Sequence, residues 1–158
     1  MERVVEIIGG GLAGSEAAWQ LANRGFKVRL YDMKPVKFSP AHKLPTFAEL
    51  VCSNSLKAKR LESAAGLLKA EMRILGSLCM ECADKCEVPA GGALAVDRDE
   101  FSRLVTEKLS SHENIEIVSR EVTEIPEGNV IVAAGPLASE AISESRSEER
   151  RVGKECYS

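Results

Sequence analysis

The sequence is poor in aromatic side chains (4%), carries only two histidines, and contains no apolar run of the length needed to cross a bilayer. It also lacks a surplus of positive charge: 21 Lys and Arg stand against 24 Asp and Glu, a net charge of −3. With no basic stripe and no interleaved aromatics, a nucleic-acid partner has to be held by a local patch and not by a global positive field. The apolar start is short, has no basic lead and runs directly into glycines, which does not describe a secretion signal. Together these absences predict a cytoplasmic protein with no membrane partner. Cysteines number five, an odd count spread along the chain, so the expectation is free thiols and not a disulfide framework. What remains is a chain of 158 residues with near-average apolar content, enough for one domain with its own core.

The most informative stretch lies near the start. Gly9, Gly11 and Gly14 supply the spacing G-x-G-x-x-G after the apolar run Val4 to Ile8 and before a helical pattern of Leu12, Ala13, Ala17, Leu21 and Ala22. Each glycine has its own expected role. Gly9 permits a tight turn, Gly11 lets backbone approach a pyrophosphate, and Gly14 lets the helix pack against the strand. The amides of the helix's first turn, around Gly10, Leu12 and Ala13, then face the phosphates. Gly25 stops the helix. A second strand, Lys27 to Tyr31, ends in Asp32, where such folds place the carboxylate that accepts hydrogen bonds from ribose hydroxyls. This fingerprint predicts a dinucleotide, and by itself it does not separate FAD from NAD.

Further along, Met33 to Thr46 carries three prolines and reads as an extended loop. Phe47 to Leu56 reads as a short helix ending near Ser53-Asn54-Ser55. Leu61 to Leu75 reads as an amphipathic helix burying Leu61, Ala64, Leu68, Met72 and Leu75. Cys79, Cys82 and Cys86 could offer three thiolates to a metal, yet their spacing is also one face of a helix and a patterned fourth ligand is missing, so packing is the expectation and no metal is assigned. Val88 to Gly92 is a loop by composition, and Ala93 to Val96 a strand. Asp97 and Glu100 form a capping-box pair at the head of a helix that buries Phe101, Leu104, Val105 and Leu109 and runs to about Ser111. Ile115 to Val118, an extended pair around Val122 and Ile125, and the buried parallel run Val130 to Ala133 read as strands, the last closed by Gly135-Pro136. The order predicts an α/β, Rossmann-like FAD-binding domain of the glutathione-reductase type, incomplete, over residues 1–145, with 33–92 an inserted loop and helical excursion.

Four blocks carry a closer likeness: the Gly9 to Gly14 turn; Ser39-Pro40-Ala41-His42 with Phe47-Ala48-Glu49-Leu50-Val51-Cys52-Ser53-Asn54-Ser55-Leu56; Val88 to Arg98; and Val130 to Leu137. From about Val4 to Glu144 the chain resembles the N-terminal part of the folate- and FAD-dependent tRNA (uracil-5-)-methyltransferases, the TrmFO family. The resemblance implies a bacterial enzyme that forms 5-methyluridine in the T-loop of tRNA. Methylenetetrahydrofolate is the implied carbon donor, reduced FAD the carrier and reductant, and NAD(P)H the source of electrons. It implies that Gly9, Gly10, Gly11, Leu12, Ala13, Gly14, Asp32 and Gly135 hold FAD. Asp32 stands where the family has glutamate. It also implies a catalytic Cys52, as base or helper, because a pyrimidine C5 reacts only after activation at C6 and must then lose its proton. On the residues alone, Cys52 reads as a small buried hydrophobe.

His42 reads as an exposed loop histidine, with approach to flavin or substrate as the alternative. Arg98 is an ion-pair partner or a phosphate contact, and Gly91-Gly92 a turn or a close approach to flavin. The family's proteins are longer, with a flavin domain completed from the far end of the sequence, so the isolated chain is expected to bind FAD feebly and to lack activity. Residues 146–158 depart from the family and read as a disordered or non-native tail. The alternatives are a stand-alone FAD-binding module without methyl transfer, or another flavin-dependent tRNA-modifying protein of the glucose-inhibited-division type, against which the Cys52 block speaks. The sequence is silent on oligomeric state.

Overall fold

A computed structural model describes residues 4–155. β1 (Val4–Ile8), β2 (Lys27–Asp32), β6 (Ile115–Ser119) and β7 (Val130–Val132) form one parallel sheet in the order β6-β2-β1-β7. Val5 and Ile7 of β1, with Val28 and Leu30 of β2, are buried, the alternation expected of strands with one face on a core. Glu6, Arg29 and Glu116 stand side by side in register across β1, β2 and β6, and Arg29 bridges both acids at 3.2 and 2.8 Å. β7 pairs with β1 at the sheet's edge, so Ile131 is 37% exposed where the apolar run suggested a fully buried strand. The segment around Val122 and Ile125 forms no strand.

α1 (Leu12–Ala22) joins β1 to β2 and packs on both. α4 (Arg98–Ser111) packs on β6 and buries Phe101, Val105 and Leu109 as its period predicts, with Leu104 partly buried beside them. Asp97 caps it through bonds from the Asp99 and Glu100 amides at 3.1 and 3.0 Å, while the Glu100 side chain turns to Arg103, so the capping box is half formed.

The excursion contains more than loop and helix. β3 (Ser55–Ala58) and β4 (Glu87–Val88) flank β5 (Ala93–Val96) in an antiparallel sheet of order β3-β5-β4, with α2 (Ala64–Ile74) and α3 (Leu78–Lys85) between them in sequence. No helix covers Phe47 to Leu56. Ala48 adopts φ +52°, the left-handed region that a helix excludes, and the Phe47 amide donates to Thr106 Oγ1 of α4 at 2.8 Å, a tertiary bond in place of a helical one.

α2 is helical but turns the other way. Leu61, Leu68 and Leu75 are exposed, and the side facing inward carries Gly66 and Lys69, with Met72 partly buried. A Cβ at Gly66 would overlap the Arg60 carbonyl, and the Lys69 ammonium donates to the carbonyls of Ala58 and Ala65 at 3.0 and 2.9 Å. Close backbone approach and a lysine whose stem packs while its head is bonded outweigh the leucine pattern. α3 keeps its expected face: Cys79, Cys82 and, just past its end, Cys86 are buried in the core with Leu78, Leu94 and Phe101.

α5 (Glu140–Glu155) continues through most of the segment expected to be disordered. The Glu, Arg and Lys residues that suggested a solvated tail are also good helix formers. Residues 156–158 lie outside the described residues.

Candidate functional site

The β1–α1 turn is built as the glycine spacing predicts. Gly9 takes φ +107°, and a Cβ there would stand 2.7 Å from the Ala133 carbonyl oxygen, so glycine is required twice over. A Cβ on Gly14 would overlap the Gly9 carbonyl, which fixes how closely α1 approaches β1. Gly11 is the N-cap of α1, makes no side-chain cap, and has nothing within 4 Å of where a Cβ would point. The start of α1 thus has no side-chain cap, and Gly11, Leu12 and Ala13 border the cleft, the arrangement that receives an anion.

Asp32 closes the other side. Its Oδ2 accepts from the Gly10 amide and its Oδ1 from the Lys34 amide, both at 2.8 Å. A carboxylate has about four lone-pair directions, so two remain for ribose hydroxyls. Phe47 packs over Gly10, leaving no room for a Cβ there, and the Ala48 amide donates to the Gly10 carbonyl at 2.9 Å. The excursion thus seals the back of the turn.

These parts line one cleft of about 350 Å³. Gly9, Gly10, Gly11, Leu12, Ala13, Asp32 and Gly135 all border it, and Gly14 lies beneath it in the helix packing. Gly135, with φ +66°, follows β7 and gives the cleft its far wall. The residues present fit a dinucleotide: a turn with open space above Gly11, uncapped amides and an acid at the end of β2.

Other wall residues carry little sequence signal. Lys34 is buried, donates to the Thr46 carbonyl, and lies 3.9 Å from Glu49. Burial pushes its ammonium below the ordinary lysine value against the opposing pull of Asp32 and Glu49. Glu49 in turn accepts from the Lys43 and Leu44 amides at 3.0 and 3.2 Å. Arg120 lies over the Tyr31 ring at the cleft's edge, 5.1 Å from its centroid. An acid inside the apolar run Phe47 to Val51 was the one visible hint of this cluster. His42 is half-buried and borders the same cleft, which corrects its reading as an exposed loop residue.

Cys52 is exposed, which overturns its reading as a buried hydrophobe. It does not border the glycine cleft. Its neighbour Val51 does, while Cys52 opens onto an adjoining concavity with Asn54, Val88, Asp97 and Arg98. The loop bearing it is tied down on both sides. Arg98 donates to the Leu50 carbonyl at 3.3 Å, and Asn54 bonds Val96 twice, by its side chain at 3.2 Å and through its own carbonyl at 3.0 Å. Among the described residues Arg98 has no ion-pair partner; it holds the Leu50 carbonyl and borders the Cys52 concavity. Gly91 and Gly92 do not line the cleft and make the turn into β5.

A parallel sheet with a glycine turn after its first strand, an acid ending its second and a shared cleft above them defines a Rossmann-type dinucleotide-binding α/β protein. The chain belongs to the family described as Glucose inhibited division protein A, whose profile matches residues 4–157. It is 62% identical over 143 residues to "Methylenetetrahydrofolate--tRNA-(uracil-5-)-methyltransferase TrmFO" of Ligilactobacillus salivarius, and 58% identical over 142 residues to the protein of that name from Bacillus subtilis. Each alignment covers 90% of this chain and 33% of the relative, so the chain spans about a third of the length of the curated relatives it matches. Two solved structures share the fold. GidA of Aquifex aeolicus has TM-score 0.63 and 21% identity over 80% of this chain and 21% of its own. The GidA-related protein of Thermus thermophilus has TM-score 0.54 and 15% identity over 94% and 68%. The resemblance read from the four sequence blocks is thus matched by relatives of that name, and the FAD-type Rossmann fold by the family.

Proposed function

We propose that this chain is the N-terminal FAD-binding portion of a folate-dependent tRNA (uracil-5-)-methyltransferase. The observation that carries the reading is the cleft: its glycine turn and Asp32 suit a dinucleotide, and the anchored Cys52 loop adjoins it. FAD, when bound, supplies one-carbon carriage and hydride chemistry. The chain's own residues do the rest. Gly11 and the first amides of α1 hold the pyrophosphate, Asp32 orients a ribose, and Gly135 lets the cofactor approach the backbone after β7. In this reading Cys52, exposed and anchored through Leu50 and Asn54, serves as base or helper, its thiolate taking the C5 proton of an extruded uridine.

Methylenetetrahydrofolate, the T-loop of tRNA and NAD(P)H are the co-substrates this reading assigns to the complete protein, and the cytoplasm its compartment. Among the described residues no helix is long and apolar enough to cross a membrane. The isolated chain is expected to bind FAD feebly and to transfer no methyl group. Incubating it with tRNA, methylenetetrahydrofolate, FAD and NADPH should leave no 5-methyluridine, and its formation would show this wrong. In a complete relative, alanine at the position matching Cys52 should abolish turnover and leave a yellow, flavin-loaded protein. Retained turnover removes Cys52 from the mechanism.

A further inference from the structure

We infer that His42 is a ligand-binding residue of the cleft, presenting an Nε2–H donor to an acceptor oxygen of the bound dinucleotide, and that Ser39 sets the tautomer that makes it a donor. The inference rests on reading the cleft as the FAD site. Three observations support it. Ser39 is buried, and its Oγ accepts from the Ala41 amide at 3.3 Å while lying 2.7 Å from His42 Nδ1. The hydroxyl has one proton and no other acceptor among the described residues, so it donates to Nδ1. The neutral ring must then carry its own proton on Nε2.

The backbone that carries the ring is also held on both flanks. The His42 amide returns to the Ser39 carbonyl at 3.3 Å, closing a turn with Pro40 at its first central position. Directly after it, the Lys43 and Leu44 amides are taken by the half-buried Glu49, which faces the buried Lys34. A surface histidine without a role has no need of a buried hydroxyl on one nitrogen and a clamped backbone on either flank. Finally, His42 borders the same cleft as Gly11, Asp32 and Gly135, and its Nε2 has no hydrogen-bond partner among the described residues. A preorganised donor facing a dinucleotide cleft loses little freedom when it binds an oxygen there.

The chain has only two histidines, so its imidazole nitrogens can be followed one by one in a long-range nitrogen–proton correlation spectrum. His112, stacked edge-on against Trp19 and away from the cleft, is the internal reference. Without ligand, His42 should show the Nε2–H tautomer, and Ser39→Ala should mix the tautomers. Titration with FAD should shift His42 Nε2 and leave His112 unmoved. His42→Ala should weaken FAD binding about fivefold, the effect of one hydrogen bond, and His42→Gln, which keeps an amide donor, should recover most of it. If FAD shifts the Gly11 and Asp32 amides while the His42 ring stays unmoved, the inference is wrong and the cleft reading stands. If FAD shifts none of them, the cleft reading fails and the inference with it. An Nδ1–H tautomer in the free chain refutes the role given to Ser39.

Discussion

Replacing Gly14 and Gly11 by alanine separates the fold's use of glycine from the ligand's. At Gly14 the added methyl overlaps the Gly9 carbonyl and stands 3.0 Å from its carbon, with Ala133 Cβ at 3.4 Å. The obstacle is backbone on one side and a packed side chain on the other, so neither can swing away, and α1 has to shift off β1. Overpacking of this kind costs about 3 kcal/mol. At Gly11 the methyl meets nothing within 4 Å, and φ is −73°, which alanine adopts freely. Alanine is a poorer N-cap than glycine, but it also restricts the unfolded chain, and the two effects nearly cancel, to within about 0.5 kcal/mol. Urea unfolding followed by circular dichroism reads both. With a slope of about 2 kcal/mol per molar, Gly14→Ala should lower the midpoint by about 1.5 M, and Gly11→Ala should leave it in place. A Gly14→Ala midpoint equal to the parent's would refute the packing argument. A Gly11→Ala midpoint that fell as far would show that Gly11 serves the fold and not an approaching ligand.

The thiols offer a second test. Burial, with help from Glu81 for Cys82 and from Asp97 and Glu100 for Cys86, pushes both thiols up to about 11, and burial beside Glu16 raises Cys79 as well. Iodoacetamide at pH 8 should therefore label Cys52 ahead of these three, as read by peptide mass spectrometry, and earlier labelling of Cys82 would contradict their burial. Because the folded chain keeps these thiols protonated where the unfolded chain ionises them, stability is full below about pH 8.5. It should fall as pH rises toward 11, by at most about 1.4 kcal/mol per thiol and pH unit. Glu16 gives the acidic counterpart. Burial alone would raise it, but bonds from the Cys79 amide, Gln20 and Ser77 outweigh burial and hold it below the ordinary glutamate value. Glu16→Gln should cost about 2 kcal/mol at pH 7. That gap should close as pH falls below about 4.3 through the folded value, and a gap independent of pH would remove the carboxylate's role in joining α1 to α3.

The first half of the Rossmann unit was legible because local signals agree there: a short apolar run in Val4 to Ile8, glycines at the turn, a helical period, then Asp32. α4 was equally plain, with Asp97 at its cap and Phe101, Val105 and Leu109 on one stripe. The excursion was not, because tertiary contacts decide it. Phe47 is drawn onto the Gly10 turn and Thr106, and Ala48 goes left-handed to allow it, so an apolar run of helical appearance becomes a folded loop. In α2, Gly66 and Lys69 look like helix weaknesses in the sequence and prove to be the packed side. At the site, the glycines and Asp32 announced themselves through spacing. The placement of His42, the buried Lys34 with Glu49, and the Arg98 tie to Leu50 did not, because each pairs residues separated by loops whose course no local pattern fixes.

The central claim is that the cleft between Gly11, Asp32 and Gly135 receives FAD, and quenching of flavin fluorescence on titration of FAD with the chain tests it most directly. The parent chain should give weak but saturable quenching, and Gly11→Val, with its branched side chain filling the open space above the turn, should abolish it while the far-ultraviolet spectrum stays unchanged. Quenching that persists in a folded Gly11→Val chain, or a parent that never saturates, would contradict the claim.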